Sequence, residues 1–219
     1  MKATEDELDD RFETINGVRM PIEDATEGHE QIVMNLASAL KTGGDGGRRT
    51  YIRMPIRSDD ASAKNELCPD VTVRYGAVGD RSFVIDPIVV IEVVSPTSRR
   101  RDGDLKHAIY LDFPTIRHVV MVDSMQMSVQ HDMRTERGFE RTLLSDPDDE
   151  IDLTALGFAM KLGGIYSGAV LDGPPPGVIE VYDCAPPGQD FVLRREEDES
   201  DEQYASRSEM IRTLFGRSG

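Results

Sequence analysis

From Ile88 to Val94 the chain reads Ile-Val-Val-Ile-Glu-Val-Val, and every residue but one is β-branched. Such a run crowds a helix and suits a pleated strand. Because it is apolar on both faces, it predicts a central strand covered on both sides. Glu92 interrupts it. A buried carboxylate needs a partner or a ligand, since leaving it unpaired is costly. A fold with a layered core and a polar group inside its sheet is therefore expected.

A second carboxylate stands in a related place. Pro69-Asp70 heads an apolar stretch, Asp70 to Tyr75, that reads as another strand. After Val94, Ser95-Pro96-Thr97-Ser98 makes a turn and offers an N-cap. A helix is expected from about Arg99 to Asp112, with Leu105, Ala108, Ile109 and Tyr110 inward and Pro114 as its stop. Lys106 lies on that helix. If the two strands pair, Asp70 and Glu92 sit side by side at one end of the sheet. Two carboxylates and the backbone carbonyl of Val93 suit Mg²⁺ or Mn²⁺, which prefer oxygen ligands. A metal held there activates water against a phosphodiester, and Lys106 would orient that water or offset charge.

The remaining segments frame this core. Arg11 to Met20 contains Asn16-Gly17, a hairpin-type turn, and predicts a short ribbon. Thr26 precedes an amphipathic helix whose stripe is Ile32, Val33, Leu36, Ala37 and Leu40. Gly43 to Gly47 lacks the Lys-Ser/Thr of a phosphate loop and reads as a connector. Thr50 to Ile56 and Ile116 to Val122 read as strands, and Met127 to His131 with Gly138 to Leu143 as an antiparallel pair. Asp146 to Asp152 reads as an acidic loop. Leu153 to Leu162 fits a short helix or a docking segment. Gln203 to Phe215 fits a short amphipathic helix.

Each candidate has a structural alternative. Asp70 could cap a turn after Pro69. Lys106 is four residues after Asp102, the spacing of a surface ion pair. His29, near the start of the first helix, fits first a partly exposed structural histidine, and otherwise an acid/base or ligand at the mouth of a site. Glu27 and Glu30 fit first-turn acids favoured by the helix dipole, or carboxylates standing behind the site residues. Tyr110, one turn after Lys106, is expected to pack beside it. Arg99-Arg100-Arg101 fits a phosphate grip or a solvated helix face.

Net charge decides how far nucleic acid is a plausible partner. It is −16 over 219 residues. Residues 1–30 hold ten acids against three bases, and residues 145–219 sixteen against six. Residues 31–144 hold fifteen against sixteen. The acidity thus belongs to the ends, and the middle, with Arg48, Arg49, Arg53 and Arg57 and then Arg99 to Arg101 in clusters, can still meet phosphate. Pro174-Pro175-Pro176 and the acidic run Glu196 to Glu202 set off the end of the chain. We expect a core domain over 1–170 and a Pro-rich, acidic extension over 171–219. The absence of a roughly 20-residue apolar span argues against a membrane helix. The acidic N-terminus does not resemble a signal peptide, and two distant cysteines fit free thiols in a cytoplasmic protein.

This pattern resembles the PD-(D/E)xK nuclease superfamily and, within it, the Uma-two family of restriction-type endonucleases. The resemblance rests on Phe12-Glu13-Thr14-Ile15-Asn16-Gly17, His29, Pro69-Asp70-Val71, the block Ile91 to Asp102, Lys106, Tyr110 and Val122-Asp123. It covers about residues 8 to 160. It implies an α/β (α+β) restriction-endonuclease-like core, a mixed sheet flanked by helices, with endonuclease activity on DNA. The lysine of a plain Glu-x-Lys motif is replaced by Val94, so Lys106 must supply the amine. An aromatic pair preceding the Val-Asp of the last strand is replaced by His118-Val119. The expected catalytic set is Asp70, Glu92, Lys106 and His29, with metal held by Asp70, Glu92 and Val93. Expected partners are DNA, a second copy of the chain as a homodimer, and a protein engaged through the acidic tail. The rival reading is a nuclease-fold module that binds or regulates without turnover.

Overall fold

The computed structural model describes residues 12–22, 25–42, 47–58, 64–94, 104–171, 179–181 and 191–193. The chain divides into two units, Met1–Leu171 and Asp172–Gly219. In the second, two short strands, Ile179–Val181 and Phe191–Leu193, pair antiparallel. The tail helix expected over 203–215, the arginine cluster 99–101, Asp102 and most of the glycine connector lie outside the described residues.

The first unit opens with a hairpin, β1 (Phe12–Ile15) and β2 (Val18–Pro21). Asn16 (φ 52°) and Gly17 (φ 83°) both adopt the left-handed backbone that a tight two-residue turn demands. Helix α1 (Glu27–Thr42) follows. Thr26 caps it, its hydroxyl accepting the His29 N–H at 3.2 Å. Thr26→Ala is expected to cost about 1 kcal/mol, read as a lower urea midpoint at unchanged slope. An unchanged midpoint would mean that the cap contributes nothing.

Strands β3 (Arg48–Ile52), β6 (Val71–Tyr75), β7 (Val89–Val94), β8 (His118–Asp123), β9 (Val129–Thr135) and β10 (Gly138–Leu144) build the main sheet. Its order is β10-β9-β8-β7-β6-β3. Only β7 and β8 run parallel, so the sheet is mixed. Helix α2 (Asp104–Asp112) lies in the crossover between them, as parallel neighbours require. A second sheet, β2-β1-β5-β4, includes β4 (Ile56–Arg57) and β5 (Glu66–Leu67).

The alternation of β7 divides the core. Val89, Ile91 and Val93 face α1 and its apolar stripe, together with the hairpin β11 (Glu150–Leu153) and β12 (Phe158–Lys161). Val90 and Val94 face α2 and the small sheet, against Tyr110, Ile15, Ile56 and Leu67. Glu92 shares this second face. Asn35 of α1 also donates to the carbonyls of Ile165 and Ser167, both at 2.8 Å, tying down the end of the unit.

Several expectations change. The strand expected over 50–56 is two strands in different sheets, because Arg53 adopts φ 50° and turns the chain. Leu105 is 40% exposed rather than inward, and Ala108 is exposed. Tyr110 turns inward as expected and Ile109 packs partly buried beside it, and the helix also buries Lys106, four residues before Tyr110 on the same face. The acidic loop gives way to β11 at Glu150. Of the two alternatives for residues 153–162, the docking segment holds and the helix does not: a short 3₁₀ turn, β12 and the start of a helical turn place Leu153, Leu156, Met160 and Leu162 in the core.

His118, replacing an aromatic, stacks on His131 with ring centroids 5.2 Å apart. Its Nε2 accepts the Ala155 N–H at 3.1 Å, and its Nδ1 lies 2.9 Å from Nε2 of His131. Nε2 must therefore be the unprotonated nitrogen, and Nδ1 donates. Burial and the neighbouring His131 push the His118 pKa down to about 4. The folded state thus binds fewer protons than the unfolded chain. Stability is full above the unfolded value near 6.5 and is lost as pH falls toward 4. His118→Phe should flatten that slope between pH 6.5 and 4. An equal slope in the variant would show that His118 is not its source.

Candidate active site

The site lies where β6 begins. Val71 pairs with Ile91 and Thr72 with Val90. Continuing that ladder by one residue sets Asp70 opposite Glu92, where side chains on one face stand about 5 Å apart at Cβ. Both carboxylates are buried. Val94 accepts the Ser124 N–H toward β8. Backbone groups alternate sides along a strand, so Val93 turns its N–H and carbonyl toward β6. There the N–H donates to Asp70 Oδ2 at 2.9 Å. The next ladder position falls to Pro69, which has no N–H to offer the Val93 carbonyl.

Lys106 reaches Glu92 Oε1 at 2.7 Å. It also reaches Glu13 Oε2 at 3.1 Å. Tyr110, packed beside Lys106 as expected, donates a short hydrogen bond to Glu92 Oε1. Glu13 is itself anchored by the Cys68 N–H at 3.3 Å. Lys106 therefore makes a buried double ion pair, and Asp102 is not needed to explain it. His29 lies 3.2 Å from Asp70 Oδ2 through Nε2. Arg53 makes a very short contact with Glu30 and lies 3.5 Å from Asp70 Oδ1. Glu30 is thus more than a first-turn acid, whereas Glu27 is exposed.

Burial would raise Asp70, but the His29 hydrogen bond and charge, the Val93 N–H and Lys106 bring it below the ordinary carboxylate range. Burial would lower His29, and Asp70 reverses this, so the imidazole is held above its usual value. Glu92 behaves differently. Its burial, with Asp70 close by, pushes it up to about 7 despite Lys106 and Tyr110. Lys106 is desolvated, yet Glu92 and Glu13 keep its ammonium charged beyond the ordinary lysine range. Burial and Glu92 also raise Tyr110, which remains a phenol. Two adjacent carboxylates are thus pushed in opposite directions, a pattern typical of functional sites.

Among the described residues, no three His, Cys, Asp or Glu side chains form a ready metal cage. That is compatible with Mg²⁺ or Mn²⁺. Mg²⁺ is commonly held by one or two carboxylates while keeping several waters. Asp70, Glu92 and the Val93 carbonyl are all hard oxygen donors, so the donor set fits.

Comparison with known proteins identifies the family and the fold. Residues 1–163 match the family model of Uma2, described as "Putative restriction endonuclease". The chain belongs to the Uma2 family. A curated relative, the uncharacterized protein slr1290 of Synechocystis sp., is 22% identical over 161 residues, 73% of this chain and 85% of that protein. A solved structure titled as a "putative nuclease belonging to DUF820" from Anabaena variabilis superposes with a TM-score of 0.59 at 15% identity. It covers 72% of this chain and 90% of the other. At that identity the likeness shows the fold, which is restriction-endonuclease-like. Among the described residues no helix is long and apolar enough to cross a membrane.

Two residues of this candidate site, Glu13 and Arg53, stand out in the sequence, one within the resemblance and one within a basic cluster, but nothing there places either beside Asp70 and Glu92. Glu13 had a usable signal: it shares the buried parity of Ile15 in β1. A carboxylate at an inward position of an alternating strand raises the same question as Glu92. Arg53 is legible only as one of a cluster of arginines, because the neighbours that single it out come from α1 and from the start of β6.

Proposed function

We propose that this protein is a metal-dependent endonuclease that hydrolyses DNA phosphodiester bonds. The observation that carries the reading is Asp70 beside Glu92 with the Lys106 ammonium on Glu92. Asp70, Glu92 and the Val93 carbonyl would hold Mg²⁺ or Mn²⁺. The ion would polarise the phosphate and ease deprotonation of a bound water. Hydrolysis joins the water oxygen to phosphorus, breaks one P–O ester bond and delivers a proton to the departing oxygen. Lys106 orients the attacking water and offsets charge that develops on the phosphate. His29 assists by fixing the Asp70 carboxylate through Oδ2. Tyr110 and Glu13 hold Glu92 and Lys106 in place.

The test is purified full-length protein on supercoiled plasmid and on single-stranded DNA, in Mn²⁺ and in EDTA. Nicking that requires the metal is expected. Intact DNA in Mn²⁺, together with no calorimetric Mn²⁺ binding, would move the assignment to a nuclease-fold binding module.

A further inference from the structure

Arg53 is the unexplained member of the site. It is a non-glycine residue with φ 50°, a conformation that costs energy and persists only where its surroundings enforce it. They do so here. Its N–H donates to the Asp70 carbonyl at 3.0 Å, and its carbonyl accepts from Cys68 Sγ at 3.1 Å. The backbone of Arg53 is thereby stitched to the segment that carries Asp70.

The side chain shows what this stitching achieves. The two Asp70 oxygens are used unequally. Oδ2 takes the Val93 N–H and His29. Oδ1 has a single partner recorded among the described residues, Arg53 Nε, and that contact is long at 3.5 Å. The tight contact of Arg53 is with Glu30. Glu30 is 43% exposed on its side chain and Arg53 24%. The guanidinium is therefore tethered at the rim by Glu30 and only leans on the open oxygen of Asp70. Of the five donors in its planar fork, the contacts among the described residues use only Nε and one terminal nitrogen.

We propose that Arg53 is a substrate-binding residue that guards the open oxygen of Asp70 and turns to the scissile phosphate when a metal ion claims that oxygen. The inference rests on the endonuclease reading. A divalent cation on Oδ1 and a guanidinium at the same oxygen repel one another. Arg53 keeps Glu30 and exchanges Asp70 for a phosphate oxygen, for which its bidentate geometry is suited. The same side chain then opposes metal binding in the free protein and favours DNA binding in the loaded one.

The opposite signs make the idea testable. Mn²⁺ titration calorimetry and single-turnover plasmid nicking would be run on full-length wild type, Arg53→Gln and Arg53→Lys, with melting curves for each. Arg53→Gln is expected to bind Mn²⁺ at least threefold more tightly. It should nick at least tenfold more slowly at saturating Mn²⁺. Arg53→Lys should keep Mn²⁺ affinity near wild type but require several-fold more DNA for half-maximal rate. If Arg53→Gln melts like wild type and binds Mn²⁺ equally or more weakly, Arg53 does not guard Asp70. If Arg53→Gln is unfolded, Arg53→Lys decides: unchanged DNA dependence overturns the proposal. Wild type that neither binds Mn²⁺ nor nicks would overturn the endonuclease reading as well, which separates the two failures.

Discussion

Glu92→Ala should reduce plasmid nicking by roughly a thousandfold or more. A metal and its oriented water supply several kcal/mol of transition-state stabilisation, and each 1.4 kcal/mol is about tenfold in rate. Glu92 stands to lose most of this, because it is both a metal donor and the group that seats Lys106. Asp70→Ala should match it. Lys106→Ala should fall almost as far while keeping calorimetric Mn²⁺ binding, since the ammonium is not a donor to the metal. That split is the informative part. If Lys106→Ala loses Mn²⁺ binding as fully as Glu92→Ala, it acts by collapsing the site. If Glu92→Ala still nicks at a rate near wild type, the proposed centre is elsewhere.

The second large effect concerns stability, and it has the opposite dependence on the catalytic reading: it should appear even if the protein hydrolyses nothing. Lys106→Met keeps the stem volume but strands Glu13 and Glu92 without their shared cation. The side chains are 8%, 7% and, for Lys106, 11% exposed, so water screens the pair poorly. Removing one partner of a buried ion pair typically costs about 3–5 kcal/mol. The loss should shrink at lower pH, because a carboxylate without its counter-ion can take up a proton and become neutral. Urea melts at pH 8 and pH 6 would read both features. A Lys106→Met variant as stable as wild type at pH 8 would mean that the ammonium is solvated rather than the counter-charge of the site.

The second effect also explains a misjudged helix. Reading α2 by hydrophobicity places Leu105 and Ala108 inward. In the fold the helix turns by roughly one residue, 100°, and buries Lys106 with Tyr110. Hydrophobic period assigns the inward face correctly only when the opposing surface is apolar. Here the opposing surface carries Glu92 and Glu13. Desolvating two carboxylates beside a leucine is worse than seating a lysine between them. The same reasoning covers Arg53. A strand expected over 50–56 continues on paper, because Tyr51, Ile52, Met54 and Ile56 are good strand residues. The chain nonetheless bends at Arg53, where its backbone serves Asp70 and Cys68.

The central strand, the carboxylate inside it and its companion at Pro69-Asp70 can be read along the chain. These are legible because they follow from local rules: β-branched runs make buried strands, and a charge in such a run requires a reason. The amphipathic stripe of α1 and the Asn16-Gly17 turn are legible for the same cause. Which groups surround that charge, the buried Lys106 included, follows from the packing of the layers. Glu13 reaches Lys106 from another sheet, His29 reaches Asp70 across 41 residues, and Arg53 reaches Glu30 across 23. Contacts of that kind are set by how layers pack, and no periodicity along the chain encodes them.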